Sequence, residues 1–302
     1  MSASIHLVSI YSSSDPRSLK SMDHATPSRT ALRVALRRAA HQLYDGQPLV
    51  LDDPIAVPIL GKEFLSELHK TTTKLEKPFS SALRAFLVAR SRYAEDMLSI
   101  AVAQGVTQYI ILGAGLDTFA YRNPHPGIHV FEVDHPATQR WKRELLEASR
   151  IPVSSKLTFV SVDFEHQTLP EQLLAAGLNT SAPSFFAWLG VVPYLTLEAF
   201  RSTVRYIATR PAKSGLVLDY AQPRSALPRL EQLAHDSLAA RVKLAGEPFQ
   251  LFFTPRQVAT ELSDFYNLED LGSPEINARY FDSRTDNLRL LGSAGRLISA
   301  WL

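Results

Sequence analysis

A glycine-containing turn between two apolar segments carries the strongest chemical signal in the sequence. The apolar run Tyr109–Leu112 predicts a buried strand, and the residues GAGLDT follow it at 113–118. A second predicted strand ends at Glu132 and Asp134, about 20 residues further on. A buried strand, a turn that needs glycine and a carboxylate at the end of the next strand together predict the nucleoside-binding half of a doubly wound sheet.

Two residues of this turn bear on which nucleoside it binds. Position 118 is threonine, where the dinucleotide fingerprint has its third glycine. A helix beginning just after Gly115 would direct free backbone N–H groups at the ligand, and the carboxylate of Asp117 would repel a pyrophosphate there. The turn therefore favours a ligand with a cationic centre and no pyrophosphate, which describes S-adenosylmethionine. The alternative is that Asp117 only caps the helix.

Acidic side chains at two later strand ends extend the predicted nucleoside site. Glu132 and Asp134 lie two apart on a strand and share one face, so either carboxylate can accept both ribose hydroxyls. Asp134 is favoured because it is nearer the strand end, and the alternative is that one of the two caps the helix at Pro136. After the next strand, we expect Asp163 to accept a hydrogen bond from the adenine amino group and Phe164 to cover the ring. The alternative for Asp163 is the N-cap of the following helix.

The composition limits the classes of function. The chain has 302 residues, of which 45% are hydrophobic and 21% charged, with a formal net charge of +2 and no cysteine. These values give no indication of nucleic-acid binding, and the lack of cysteine excludes disulfides and thiolate sites. His125 and His129 are separated by Pro126 and Gly127, which prevents a shared helical face, so no metal site is predicted. No apolar run reaches the length of a membrane span and no signal peptide is evident, which predicts a cytoplasmic protein without membrane contact.

The N-terminal third predicts helices and no strand. Residues 1–27 predict a loose leader, and 28–104 predict a helical cap with helices at 28–43, 55–60 and 80–103. On the first helix, the run of Arg33, Arg37 and Arg38 predicts a solvated face, with an anion-attracting rim as the alternative.

Residues 105–302 predict an α/β core. Strands are expected at 109–112, 129–133, 157–162, 184–188, 215–220, 266–271 and 296–302, and helices at 137–149, 169–176 and 197–209. Strands separated by such helices form a parallel sheet, and the two terminal strands predict seven strands with an antiparallel edge. The segment 225–263 returns to helix and predicts a lid around 222–255. Its Phe249, Phe252 and Phe253 predict either a hydrophobic acceptor pocket or the lid's own core.

Several blocks of the sequence, in their order and spacing, resemble one family. The chain is similar to the leucine carboxyl methyltransferases, which are class I S-adenosylmethionine-dependent methyltransferases, and more closely to their bacterial and fungal small-molecule relatives. The resemblance covers residues 28–302 and rests on Ser28-Arg29-Thr30, Asp52–Ala56, Arg90–Tyr93, LGAGLDT at 112–118 with Tyr121-Arg122, Phe131–Pro136, Trp188–Val191 with Tyr194–Thr196, and Gly246–Phe249. It implies a class I methyltransferase Rossmann-like fold, S-adenosylmethionine as cofactor and O-methylation of a small-molecule acceptor.

The resemblance also implies roles for individual residues. In the family an arginine ahead of the first strand binds the methionine carboxylate, and Arg90 matches it, with Arg92 as the rival. A guanidinium is well suited to this task because it can bind a carboxylate through two hydrogen bonds. Arg29 lies in an N-terminal segment that folds over the cofactor. The remaining implied cofactor positions are Gly113, Gly115, Asp134, Asp163 and Phe164.

One departure from the family pattern concerns the acceptor. Many members have a glutamate at the end of the fourth strand, where this chain has Leu189 before Gly190. The change favours a smaller and less polar acceptor over a protein carboxylate, so methylation of a protein C-terminus stays as the first alternative. A nicotinamide-dependent reductase is the second alternative, and the missing third glycine and the absence of a Tyr-x-x-x-Lys pair argue against it.

Methyl transfer from a sulfonium is an in-line displacement, so alignment of the acceptor with the methyl group supplies much of the acceleration. A carboxylate acceptor is already ionised, whereas a hydroxyl acceptor would benefit from a general base. Tyr194, Tyr220 and Asp219 lie at or just after predicted strand ends and are the candidate catalytic residues. The alternative for each tyrosine is a buried structural role with its hydroxyl bonded to the protein.

Overall fold

The computed structural model describes residues 28–70, 77–164, 166–244 and 248–302. The predicted leader 1–27 and the side chain of Arg29 lie outside these residues. The α-helices are α1 (Arg29–Tyr44), α2 (Gly61–Lys70), α3 (Pro78–Ala103), α4 (Pro136–Ala148), α5 (Leu169–Ala175), α6 (Leu197–Ala208), α7 (Arg229–Leu244), α8 (Pro255–Glu261) and α9 (Ser273–Tyr280). The strands are β1 (Gln108–Leu112), β2 (His129–Asp134), β3 (Leu157–Ser161), β4 (Ser184–Trp188), β5 (Gly215–Ala221), β6 (Tyr266–Leu271) and β7 (Gly295–Trp301).

The strands form one sheet in the order β3-β2-β1-β4-β5-β7-β6. The first five pair in parallel, and β7 runs antiparallel to both β5 and β6. The predicted seven-stranded, mostly parallel sheet is therefore confirmed. The predicted antiparallel edge is also confirmed, since β7 pairs antiparallel with β5 and β6, and β6 is the outermost strand.

Helices cover both faces of the sheet, which explains why its central strands are apolar. Every residue of β1 and β4 is buried, as expected for parallel strands between two helical layers. On one face, the small residues Ala85 and Ala89 of α3 pack in the same cluster as Val217 of β5. On the other face, Phe200 of α6 packs with Leu218 of β5. In the described part of the chain, no helix has the length and apolar character needed to cross a membrane.

The helix predicted after Gly115 is wrong. Turns lead from β1 into a short 3₁₀ helix at Phe119–Tyr121, and no α-helix follows β1 before β2. Two side-chain hydrogen bonds stabilise this loop in a conformation that is not α-helical. The carboxylate of Asp117 accepts the amide of Phe119 at 2.8 Å, and the hydroxyl of Thr118 donates to Asp53 at 2.6 Å.

Two other helix predictions need correction. The predicted helix 55–60 is a turn followed by a 3₁₀ helix at Pro58–Leu60, and α2 continues directly from it. The predicted helical run 225–263 is interrupted by the extended segment 248–254, which separates α7 from α8. In this segment Leu251 and Phe253 are buried whereas Phe252 is half-buried, an alternation typical of extended backbone.

A buried carboxylate joins the N-terminal helices to the loop after β1. Asp53 is fully buried, and its carboxylate accepts hydrogen bonds from the Thr118 hydroxyl and from the amides of Ile55 and Ala56. The Nε atom of Arg122 lies 3.2 Å from Asp53 Oδ1. Desolvating a carboxylate is costly, so its charge is tolerated here only because hydrogen bonds and cations surround it.

Arg38 extends this network across α1, so its predicted place on a solvated helix face is wrong. The residue is only 3% exposed, and its Nη2 donates to the carbonyl of Leu116 at 2.6 Å. Its Nη1 lies 3.4 Å from Asp117 Oδ2, and its Nε lies 3.8 Å from Asp53. Because α1, the turn after it and the loop after β1 share these contacts, the N-terminal helices cannot separate from this loop without exposing unpaired charges.

Replacing Asp53 tests this coupling. Asp53→Asn removes the charge that Arg122 and Arg38 share, while Arg122 keeps Glu95 and Arg38 keeps Asp117, and we expect the free energy of unfolding to fall by about 1–3 kcal/mol in denaturant titrations. The neighbouring Asp52→Asn is the matched control, since Asp52 is exposed and should change stability by less than about 0.5 kcal/mol. Equal effects of the two substitutions would show that the buried network does not hold the N-terminal helices against the loop after β1.

Candidate cofactor and acceptor site

The turn after β1 is closely covered by two other elements. Gly113 and Gly115 have φ angles of 68° and 48°, a region that L side chains rarely adopt. A Cβ atom on Gly113 would lie 2.4 Å from Cγ2 of Val191, which follows β4. A Cβ atom on Gly115 would lie 3.1 Å from Cβ of Ala31 on α1. Both glycines are therefore needed for the conformation and for the close approach.

Asp134 lies at this turn, at the carboxyl end of β2. Its Oδ2 accepts the amide of Gly115 at 2.5 Å and its Oδ1 accepts the amide of His135 at 2.7 Å. Burial raises the pKa of Asp134, and these two N–H donors oppose the rise. The N-cap of α4 is His135, whose ring accepts the amide of Ala137, so Asp134 is not needed as the cap. Asp134 thus places a carboxylate beside the glycine turn.

Glu132 is more deeply buried than Asp134 and is engaged within the protein, which favours Asp134 as the ribose ligand. The residue is fully buried, and its Oε2 accepts a hydrogen bond from Lys142 Nζ at 2.6 Å. The Tyr121 hydroxyl donates to the same oxygen at 3.4 Å. Burial raises the pKa of Glu132 to about 7, although Lys142 opposes the rise. The strand pattern places both acids on one face. Glu132 lies two residues before the strand end, however, where Lys142 of α4 binds it.

The carboxylate of Asp117 is engaged within the protein. One oxygen accepts the amide of Phe119, and the other lies near Arg38. The bond to Phe119 spans two residues ahead of the 3₁₀ helix, whose N-cap is Thr118 without a side-chain capping bond, so Asp117 is not the N-cap.

Arg90 reaches the same edge from α3. It is 8% exposed, and its Nη1 donates to Asp219 Oδ2 at 3.0 Å. The other carboxylate oxygen of Asp219 accepts the amide of Gly190, directly after Leu189. A Cβ atom on Gly190 would lie 2.7 Å from Arg90 Nη2. The structure thus brings one buried guanidinium to the carboxyl ends of β4 and β5, next to the position where the family glutamate is missing.

The rival Arg92 takes no part in this site. Its side chain is 48% exposed and pairs with Asp96, one turn further along α3, at 2.8 Å. Two residues apart on a helix, Arg90 and Arg92 point to different sides, so only Arg90 faces the sheet edge.

The two predicted adenine-side residues follow β3. Asp163 is half-buried, and Phe164 is 65% exposed at the same strand end. The N-cap of α5 is Thr168, so Asp163 does not fill the capping role that was its alternative. A ring exposed to this extent is free to cover a planar ligand face.

The two predicted catalytic tyrosines have different surroundings. Tyr220 is buried, and its hydroxyl donates to Asp270 Oδ2 at 2.8 Å. Burial and this carboxylate raise the pKa of Tyr220 above its ordinary value, and these surroundings favour the structural alternative for Tyr220. Tyr194 lies in the 3₁₀ helix after β4, and its ring centroid is 5.3 Å from that of Phe249 in the segment 248–254.

Alanine at position 113 tests the close approach within the turn. Gly113→Ala adds both backbone strain and a contact with Val191, whereas Gly61→Ala adds only strain, because Gly61 has a φ of 67° and open space around it. We expect Gly113→Ala to lower the free energy of unfolding by about 1–3 kcal/mol more than Gly61→Ala, measured by denaturant titration. Equal losses would mean that the turn can move away from Val191 freely.

The buried Glu132 predicts a specific pH dependence. Its folded pKa of about 7 lies above that of an unfolded glutamate, so the folded protein holds a proton that the unfolded chain has already lost. Raising the pH from about 5 to about 8 should therefore lower the free energy of unfolding by about 1–3 kcal/mol through this group. The loss of stability should be smaller than in the wild type by this amount in Glu132→Gln and unchanged in Glu144→Gln, since Glu144 is exposed on α4. Parallel pH profiles for all three proteins would contradict the assignment.

Comparison with known proteins identifies the family. Residues 31–208 match the family described as leucine carboxyl methyltransferase. YktD of Bacillus subtilis, whose name assigns it to the S-adenosyl-L-methionine-dependent methyltransferases, is 31% identical over 286 residues, covering 86% of this chain and 93% of the relative. A relative from Mycolicibacterium smegmatis with the same assignment is 32% identical over 225 residues, 71% of each chain.

Solved structures show the same fold. The crystal structure of a protein from Thermobifida fusca, described as a methyltransferase, has a TM-score of 0.57 at 17% identity and covers 92% of this chain and 96% of its own. A DUF574 family protein from Streptomyces avermitilis has a TM-score of 0.54 at 17% identity, covering 80% of this chain and 94% of its own. This chain therefore belongs to the leucine carboxyl methyltransferase family and is an S-adenosylmethionine-dependent methyltransferase with the class I fold.

Proposed function

We propose that the protein transfers the methyl group of S-adenosylmethionine to an oxygen atom of a small-molecule acceptor. The observation that carries the proposal is the position of Arg90, a buried guanidinium held by Asp219 at the ends of β4 and β5, beside Gly190. A methionine carboxylate is the part of the cofactor that this group suits best.

The residues around the edge fit the remaining parts of the cofactor. Asp134 stands at the glycine turn, where its carboxylate can accept the ribose hydroxyls. Asp163 and Phe164 lie at the next strand end, where they can meet the adenine amino group and ring face. With a cation for the carboxylate, an acid for the ribose and an exposed ring for the base, the three parts of the cofactor each have a partner of the required chemistry.

In this proposal the protein acts mainly by orientation. When bound, the cofactor supplies a methyl group on a positively charged sulfur. Asp219 fixes Arg90, and Arg90 fixes the methionine end of the cofactor, so that the methyl group faces the acceptor side of the sheet edge. Alignment of this kind lowers the barrier of an in-line displacement because the reactants have already lost their relative freedom of motion.

A small acceptor is favoured by the way the sheet edge is covered. Segment 248–254 crosses the ends of β4 and β5, where the amides of Gln250 and Leu251 donate to the carbonyl of Pro193 and the amide of Phe253 donates to that of Ala221. We propose that 28–104 acts as a cap and that the region around 222–255 acts as the lid of the core 105–302. Such a covering excludes water and leaves little room for a folded protein as acceptor.

The family description keeps a protein carboxylate as the alternative acceptor. Leu189 argues against it, since a glutamate occupies this strand end in many members. The nicotinamide alternative is no longer supported, because the family and its relatives are methyltransferases. Methylation assays with radiolabelled cofactor, comparing a panel of small hydroxyl and carboxyl compounds with peptides ending in leucine, separate the two acceptor classes. Transfer to the peptides alone would contradict the proposal.

Calorimetric titration of Arg90→Lys tests the role of this residue. A lysine cannot form the two-pronged contact with a carboxylate, so we expect the dissociation constant for S-adenosylmethionine to rise about 10–100-fold. The constant for 5′-deoxy-5′-methylthioadenosine, which lacks the amino acid portion, should change by less than about 3-fold, a shift of about 0.7 kcal/mol.

Arg92→Lys is the matched control, because Arg92 lies two residues away on the same helix and pairs with Asp96 at the surface. It should bind both ligands as the wild type does. If Arg90→Lys weakened both ligands equally, Arg90 would support the fold of the site and would not bind the carboxylate.

A further inference from the structure

A cavity of about 350 Å³ lies between the N-terminal helices and the C-terminal part of the chain. Its walls come from the turn 48–50, from α3, and from α9 with the residues that follow it. Three arginines line it, Arg92, Arg279 and Arg284, and the lining contains one acid, Asp96. Among the described residues, no predicted cofactor ligand lines this cavity. Its volume suits a small ligand, and its lining carries a net positive charge.

Arg284 has a structural role at this cavity. Its side chain is only 5% exposed, and all three of its guanidinium nitrogens are engaged within the protein. They donate to the carboxylate of Asp286 and to the carbonyls of Gly46 and Pro48. Arg284 therefore joins the turn after α1 to the segment after α9, and its donors are not available to a ligand.

Arg92 and Arg279 differ from Arg284 because each keeps donors that the described part of the protein does not use. Arg92 donates through Nε to Asp96 at 2.8 Å, which leaves its Nη1 and Nη2. Arg279 donates through Nη1 to the two oxygens of Glu269 at 3.3 and 3.2 Å, which leaves its Nε and Nη2. The two side chains are 48% and 35% exposed, so solutes can reach both. Two partly used guanidinium groups therefore face one cavity.

Packing and hydrogen bonds hold these two guanidinium groups in place. The guanidinium carbon of Arg279 lies 5.2 Å from the ring centroid of Tyr93 and 5.8 Å from that of Tyr280, distances at which a cation and an aromatic ring attract. The hydroxyl of Tyr280 donates to Asp96 Oδ2 at 2.8 Å, while Asp96 Oδ1 accepts from Arg92. Asp96 and Tyr280 thus connect the helices that carry the two arginines. Donors positioned in advance bind a ligand at a lower cost in conformational entropy.

We propose that this cavity is a second ligand site, which binds the phosphate group of a small phosphate monoester. A phosphoryl group carries about two negative charges at pH 7 and three strong acceptor oxygens. These match the unused donors of Arg92 and Arg279 together with the hydroxyl of Ser283, which also lines the cavity. A carboxylate has one charge and two oxygens, so it would use fewer of these donors. Leu49 is half-buried in the cavity wall and offers an apolar contact to the body of the ester.

The direction of Arg92 separates this site from the edge that binds the cofactor. Two residues apart on a helix correspond to a rotation of about 200°, so Arg92 and Arg90 lie on opposite sides of α3. Arg90 is directed toward Asp219 and Gly190, whereas Arg92 lines the cavity beside Tyr280. The phosphate site and the cofactor site should therefore be occupied independently. The inference does not depend on which acceptor is methylated.

Titration calorimetry with phenyl phosphate tests the site, at low ionic strength because salt screens exposed charges. We expect a dissociation constant of about 1 mM or lower, which two or three charge-assisted hydrogen bonds can support. Phenyl sulfate has a similar shape but a single negative charge, so it should bind at least about 5-fold more weakly. Saturation with S-adenosylhomocysteine should leave the constant for phenyl phosphate within about 2-fold. Absence of binding, equal binding of phenyl sulfate or competition with S-adenosylhomocysteine would overturn the proposal.

Substitutions of the two arginines locate the binding. Arg92→Gln and Arg279→Gln should each raise the dissociation constant for phenyl phosphate by about 10-fold or more. Arg205→Gln is the matched control, since it removes the same charge from an exposed pair with Glu198 on α6 and should change the constant by less than about 2-fold. All three variants should bind S-adenosylhomocysteine as the wild type does, which shows that they are folded, and if one cavity variant does not, the other decides. An equal effect of Arg205→Gln, or no effect of the cavity substitutions, would overturn the proposal.

Discussion

The fully buried carboxylate of Asp53 is the contact on which the arrangement of the site depends. It accepts hydrogen bonds from the turn that follows α1 and from Thr118 after β1, and it attracts Arg122 and Arg38. Charges buried in this way are stable only while all partners stay in place. The N-terminal helices are therefore fixed to the loop after β1, and Ala31 of α1 is held against Gly115.

A second buried ion pair, between Arg90 and Asp219, fixes the part of the site at the carboxyl ends of β4 and β5. Asp219 of β5 bonds both Arg90 and the amide of Gly190, so a single carboxylate joins α3, β5 and the turn after β4. In the family pattern a glutamate stands at the end of the fourth strand, and this chain has Leu189 there. Asp219 provides an acid one strand away, which keeps Arg90 in place while leaving an apolar residue on the acceptor side. Under the proposed function, this pair positions the guanidinium that binds the methionine carboxylate of the cofactor.

Local patterns in the sequence predict the strands of the sheet well. They predict the order of the last two strands and the surroundings of individual side chains less well. All seven strands are evident from short apolar runs, and the glycine turn, Asp134 and Arg90 emerge from motif positions. The order of β6 and β7 in the sheet depends on pairing between distant segments. The hydrophobic periodicity of a single segment carries no information about this pairing. The same holds for Glu132, since alternation gives its face but not its depth beneath α4. Arg38 did have a local signal, because its helical spacing from Ala31 and Ala35 places it on the apolar face of α1.

The central claim is that one edge of the sheet holds the cofactor between Arg90 and Asp134. A crystal structure of the protein with S-adenosylhomocysteine tests it most directly, because this product keeps the amino acid, ribose and adenine of the cofactor. We expect the ligand carboxylate within hydrogen-bond distance of the Arg90 guanidinium and both ribose hydroxyls on Asp134. A ligand bound elsewhere, or bound at this edge while Arg90 still pairs only with Asp219, would contradict the account.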